Sequence, residues 1–132
     1  MSGEKNLKKL IQDMEPILHE GTYVFVSVAS LDTVPRTATI FEFKEDEGIT
    51  LVVKKETADA LNLSYEFDAS WITLNIHSSL EAVGLTAAFS GALAKHKLSC
   101  NVVAGFYHDH LFVARQDAEE TISVLKDFSK NY

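Results

Sequence analysis

Residues 71–98 read WITLNIHSSLEAVGLTAAFSGALAKHKL, and the fold turns on how this stretch divides. Trp71 to His77 alternates, with Ile72, Leu74 and Ile76 on one side, which is the period of a strand with one face on a core. From Leu85 the period changes. Leu85, Ala88, Phe89, Ala92, Leu93 and His96 fall at i, i+3, i+4, i+7, i+8 and i+11, the stripe of an amphipathic helix. Its small residues, Ala87, Ala88, Ser90, Gly91 and Ala92, let such a helix lie close to a sheet. The intervening loop closes on Gly84.

Working outward, Leu98 to Phe106 and Leu111 to Ala114 predict two strands joined by a tight hairpin near His108-Asp109. Asp117-Ala118-Glu119-Glu120 has the spacing of a capping box and opens a helix carrying Ile122, Val124, Leu125 and Phe128. The order strand, helix, strand, strand, helix is a ferredoxin-like βαββαβ unit short of its last strand. Upstream, Leu7, Leu10, Ile11 and Met14 form a helical stripe that Pro16 ends. Tyr23 to Val28 is an apolar strand, Thr39 to Val53 a hairpin around Lys44–Gly48, and Thr57 caps a short helix to Leu63. Tyr23–Val28 is the candidate donor of the missing strand. The expected fold class is therefore α+β: two ferredoxin-like βαββαβ units, residues 1–68 and 69–132, packed side by side with antiparallel sheets and helices on one face.

Composition narrows the function. The formal charge is −7, and the 12 basic residues cluster only as Lys8-Lys9, Lys54-Lys55 and Lys95-His96-Lys97, which read as solvated faces. Binding that draws affinity from phosphate contacts needs clustered cations, so nucleic acid is not an expected partner. No apolar run approaches the ~20 residues that span a bilayer, and the N-terminus has no signal-peptide core. A single cysteine, Cys100, fits a reducing compartment, so the expected location is cytoplasmic, with no membrane partner.

Candidate chemistry is sparse. His108-x-His110 is the one tempting metal pair, but it sits at a predicted turn with only Asp109 nearby, and metal sites need three or four converging ligands. His77 reads as an exposed strand residue, His96 as the basic end of a helix and Cys100 as a small buried hydrophobe. Trp71 reads as a core or dimer contact. No phosphate loop, nucleophile elbow or paired catalytic carboxylates occur. No metal, cofactor or catalytic residue is expected, and the chain does not read as an enzyme.

Glu81-Ala82-Val83-Gly84-Leu85-Thr86-Ala87-Ala88-Phe89-Ser90-Gly91-Ala92-Leu93-Ala94-Lys95-His96-Lys97-Leu98, continued through Asn101-Val102-Val103 and Leu111–Ala114, resembles the ACT family. The likeness is to the regulatory units of aspartokinase and their free-standing relatives. It covers Leu74 to Phe128 well and implies two ACT-like units, the first divergent, in an amino-acid-binding regulatory homodimer. The resemblance implies a ligand gripped by Ser79, Val83, Gly84, Leu85 and Thr86 in the loop and by Asn101 and Val102 on the next strand. Asn101 stands where such units often carry an acidic residue for the ligand's amino group. A regulated protein partner is implied as well. The other reading is a structural or protein-interaction homodimer whose ligand site has degenerated.

Overall fold

The computed structural model describes Gly3 and residues 6–132. The elements run α1 (Leu7–Asp13), β1 (Pro16–Leu18), β2 (Tyr23–Val28), β3 (Thr39–Lys44), β4 (Ile49–Lys54), α2 (Lys55–Ala60), β5 (Ala69–Leu74), α3 (Leu85–Lys95), β6 (Asn101–Ala104), β7 (Asp109–Ala114) and α4 (Ala118–Asn131). They gather into two compact units. One joins the described residues up to Glu20 with Ser70–Tyr132; the other is Gly21–Ala69. The spatial grouping places the described residues up to Glu20 with the C-terminal half. No helix among the described residues is long and apolar enough to cross a membrane.

In the larger unit the strand order is β1-β5-β7-β6. Numbered from β5, that is the 4-1-3-2 order of a ferredoxin-like sheet, with its last strand drawn from the N-terminal segment. Tyr23–Val28 does reach β5, through Tyr23 opposite Ala69, but the expectation needs correction in that the strand running along Ile72–Leu74 is Pro16–Leu18, antiparallel to it. Pro16 is tolerated because it is the first residue of its strand and owes the ladder no N–H. The ladder runs on at both ends, Asn75 N–H donating to Glu15 O at 2.7 Å and His19 N–H to Trp71 O at 2.9 Å.

Helices cover one face of this sheet. Ile72, Leu74, Leu111 and Val113 meet Leu85, Phe89 and Leu93 of α3 and Val124 and Leu125 of α4. Helix α1 belongs to the same core, with Leu10 and Ile11 fully buried. Each of those side chains contributes on the order of 1.5–3 kcal/mol. The end of α1 leaves carbonyls without helical partners, and the buried Ser129 hydroxyl of α4 supplies the missing donor. It lies 2.7 Å from Ile11 O, 3.1 Å from Gln12 O and 3.2 Å from Met14 O.

Several predicted ends move. The expected capping box at Asp117 is absent: its side chain makes no cap bond, because a 3₁₀ turn over Arg115–Asp117 leads into α4. Helix α2 starts at Lys55, so Thr57 lies inside it rather than at its cap. The strand expected over Leu98–Phe106 shrinks to Asn101–Ala104. Leu98 N–H turns back to Leu93 O, and Gly105 N–H closes the hairpin on His108 O. In the smaller unit, β2 pairs along its whole length with β4, in the order β3-β4-β2, over a core of Val24, Val26, Val28, Leu51, Val53 and Ala58.

By strand alternation, Trp71, Thr73, His110 and Phe112 lie on the face of the larger unit's sheet away from its helices. His19 stacks on Trp71 with ring centroids 3.6 Å apart, and its Nε2 lies 2.7 Å from Thr73 Oγ1. That hydroxyl is 3.0 Å from His110 Nδ1, which also accepts from Trp71 Nε1–H at 3.1 Å. Indole nitrogen only donates, so Nδ1 of His110 must be the unprotonated nitrogen. Burial lowers the pKa of both histidines, and for His110 repulsion from His108 and His19 adds to it.

Two predictions follow from this packing. Ser129→Ala should destabilise the protein by about 1–2 kcal/mol, read as a lower denaturant midpoint at unchanged slope. Acidification should also destabilise it. Above pH ~6.5 both histidines are neutral in either state; below it the unfolded chain takes up protons that the folded one resists, so stability falls toward the depressed folded pKa values. His110→Gln keeps an acceptor for the Trp71 N–H and should lose less melting temperature than wild type between pH 7 and 5.5. Equal losses would show that His110 is not the titrating group.

Candidate functional site

A cleft of about 230 Å³ opens in the larger unit where the loop after β5 meets the start of α3 and the β6–β7 hairpin. Ser78, Ser79, Gly84, Leu85, Thr86 and Asp109 are among its lining residues. That volume is below the ~300–1,000 Å³ of sites for drug-sized ligands, and suits a molecule of few heavy atoms.

Two contacts from the N-terminal segment brace the loop. A Cβ on Gly3 would stand 2.5 Å from the Ser78 carbonyl carbon, so only glycine allows this approach. Within the loop, Ser79 Oγ accepts from Glu81 N–H at 3.1 Å, and Ser79 O from Ala82 N–H at 2.9 Å. Gly84, at φ +95°, is the N-cap of α3 in the left-handed region, and Leu7 Cδ2 would lie 3.3 Å from a Cβ added there. A β-branched residue at that position meets both backbone strain and a crowded neighbour.

Gly84 also has no side chain with which to cap α3. The first intrahelical bond runs from Ala88 N–H to Gly84 O at 2.9 Å. The N–H groups of Leu85, Thr86 and Ala87 therefore have no intrahelical acceptor, and they carry the positive end of an eleven-residue helix. Across the cleft is a carboxylate. Asp109 stands opposite Ala104 in the β6–β7 ladder, and alternation puts it on the helix-facing side with Leu111 and Val113. Burial raises its pKa, against a smaller opposing influence of His108. Donors at one end and a desolvated acid at the other form a dipolar site.

Of the residues singled out in the sequence, Ser79, Gly84, Leu85 and Thr86 line this cleft together. Val83 projects from the loop, 84% exposed. Asn101 and Val102 lie on β6 and are not among the lining residues: Val102 packs on the core, and Asn101 Nδ2 donates to Phe112 O at 3.1 Å. In the sequence Asp109 stands out only as a neighbour of two histidines. The signal that finds it is parity, since Asp109, Leu111 and Val113 share one face once the strand is placed. His108 and His110 do not converge. His108 Nδ1 faces Ile76 O at 3.3 Å, while His110 faces Trp71. Among the described residues, no three His, Cys, Asp or Glu side chains are grouped to hold a metal ion. Burial raises the Cys100 thiol pKa, which makes it a poor nucleophile.

The comparisons with known proteins fit this architecture. The ACT domain family matches residues 2–70 and again residues 66–127. A crystal structure from Vibrio cholerae, of a protein of unknown function described as a possible transport protein, is 44% identical. The match covers 95% of this chain and 97% of that one, with TM-score 0.85. A structure from Porphyromonas gingivalis, described as a putative C-terminal regulatory domain of aspartate kinase, shares the fold at 14% identity and TM-score 0.58, covering 89% of this chain and 98% of that one. The ligand-free regulatory subunit of aspartate kinase from Thermus thermophilus does so at 8% identity and TM-score 0.62, over 86% and 95%. No protein of curated function matches the sequence. Two successive ACT-domain matches that together run from residue 2 to residue 127, over a ferredoxin-like sheet, make this chain a member of the ACT-domain family.

Proposed function

We propose that the protein is a non-catalytic regulatory module that binds a small amino acid in the cleft between the start of α3 and Asp109. The observation that carries the reading is the pairing of open N–H donors at Leu85–Ala87 with one partly desolvated carboxylate across a cavity of about 230 Å³. A zwitterion matches both ends. Its carboxylate takes the helix N–H groups, and its ammonium takes Asp109, since a buried cation needs an acceptor of opposite charge. This moves the amino-group role from Asn101 to Asp109. The aspartate-kinase regulatory domains that share the fold support the same class of task. We further propose that the chain works as a homodimer acting on another protein.

Thermal-shift screening against the twenty amino acids tests the ligand, because a molecule that binds only the folded state raises the melting temperature. Asp109→Asn should leave the ligand-free protein at least as stable, as it removes a carboxylate that burial disfavours. It should weaken binding about ten- to a hundredfold, the loss of a hydrogen bond to a charged group. Gly84→Val should abolish binding, with circular dichroism confirming the fold. If an amino acid binds wild type and Asp109→Asn equally, the site lies elsewhere. If none binds at millimolar concentration, the reading as an interaction homodimer replaces this one.

A further inference from the structure

A second concave surface lies in the smaller unit, and its lining is aromatic. Strand β2 meets β5 there through a single residue pair, Tyr23 with Ala69. Counting on from that pair sets Phe25 and Phe67 on one face, but residues 63–68 are not strand and leave the ladder. The space beside β2 is a groove of about 390 Å³ lined by Phe25, Ser64, Tyr65, Glu66 and Phe67. That volume falls in the range of small-molecule sites, roughly 300–1,000 Å³. All three aromatic residues are partly exposed, and Glu66 is exposed.

Two ties hold this wall in place. Tyr65 O–H donates to Asp59 Oδ1 at 2.6 Å, and Lys55 Nζ donates to Asp68 Oδ2 at 2.7 Å. They anchor the chain on either side of Glu66-Phe67, so the walls stand ready before a ligand enters. The segment also starts from a fixed point: Asn62, at φ 55°, ends α2, and Leu63 N–H returns to Ala58 O at 2.9 Å.

The charge around the groove has one sign. Asp68 is matched by Lys55, and Asp59 takes the tyrosine hydroxyl. Among the described residues, no cation pairs with Glu66. The rings add to this field, because the face of an aromatic ring is its negative side. One of them already holds a cation: Lys55 Nζ lies 5.8 Å from the centroid of Tyr65, inside the ~6 Å at which a ring attracts positive charge.

We infer that this groove binds an organic cation whose nitrogen carries methyl groups, a quaternary ammonium of choline's kind. An anion meets Glu66. A neutral apolar molecule suits the rings but covers a carboxylate and gives it no partner. A primary ammonium has three N–H donors to satisfy and loses more hydration on entering a wall of rings. A methylated nitrogen donates no hydrogen bond and spreads its charge over an apolar shell. Aromatic walls with one carboxylate at hand match it on both counts.

Titration calorimetry on the full chain with choline and with tetramethylammonium tests this site, which is independent of the cleft at Asp109. Both should bind. Ethanolamine, and the neutral alcohol in which a carbon replaces choline's nitrogen, should each bind about tenfold or more weakly. Phe67→Leu keeps apolar bulk and removes the π face; it should weaken choline binding about three- to thirtyfold, with circular dichroism confirming the fold. Glu66→Gln, at an exposed position, should weaken it about threefold or more. Asp109→Asn should leave it unchanged. If neither quaternary cation binds at tens of millimolar, or the neutral alcohol binds as tightly as choline, the assignment is overturned. Equal binding by wild type, Phe67→Leu and Glu66→Gln overturns it too, as does a loss of choline binding in Asp109→Asn.

Discussion

The antiparallel pairing of Pro16–Leu18 with Ile72–Leu74 is the contact from which most of the larger unit follows. A three-residue ladder is weak by itself; what holds it is what lies on either side in sequence. Before it, α1 is drawn into the core by Leu10 and Ile11 and tied at its end by the Ser129 hydroxyl. After it, His19 lies flat on Trp71. Stability here comes from helix burial and ring stacking, and the strand inherits its position from both.

The same pairing shapes the cleft. Because the N-terminal segment returns beside β5, Gly3 comes against the loop at Ser78 and Leu7 against Gly84. A loop that would otherwise be free is held from behind, and α3 begins where the left-handed glycine aims it. The cleft is thus made of residues distant in sequence but adjacent in the sheet. Its electrostatics come from backbone dipoles and one desolvated acid rather than a cluster of charged side chains. Such an arrangement sets hydrogen-bond donors at one end of the cleft and an acceptor at the other.

Much of this was legible in the residues. The shift of period between Ile76 and Leu85 gave strand, loop and helix, and the buried stripe Leu85, Phe89 and Leu93 lies where that period placed it. The glycine closing the loop was legible too, since a chain entering a helix abruptly needs a residue that tolerates positive φ. Four residues of the expected grip, Ser79, Gly84, Leu85 and Thr86, meet in the cleft for this reason: they belong to one local stretch, positioned by one turn. Asn101 and Asp109 were harder to rank. Which side of a sheet a residue faces depends on where its strand starts, and the hairpin ends at Gly105 and His108 are decided by backbone bonds and not by hydrophobic pattern.

Sequence alone, then, determined the kinds of element, their order, the ACT resemblance and the absence of clustered cations, because periodicity, turn residues and charge are local properties. Only the tertiary structure decided which segment completes the larger sheet. Two strands, Pro16–Leu18 and Tyr23–Val28, lie upstream of β5, and by composition only the second reads as a strand. Composition does not choose the donor, for Tyr23–Val28 finds its partner along the whole of β4. Pro16–Leu18 is carried to β5 by the helix before it and the histidine after it. Long-range pairing depends on what each strand's neighbours bury, and that sum is settled only when the whole chain is packed.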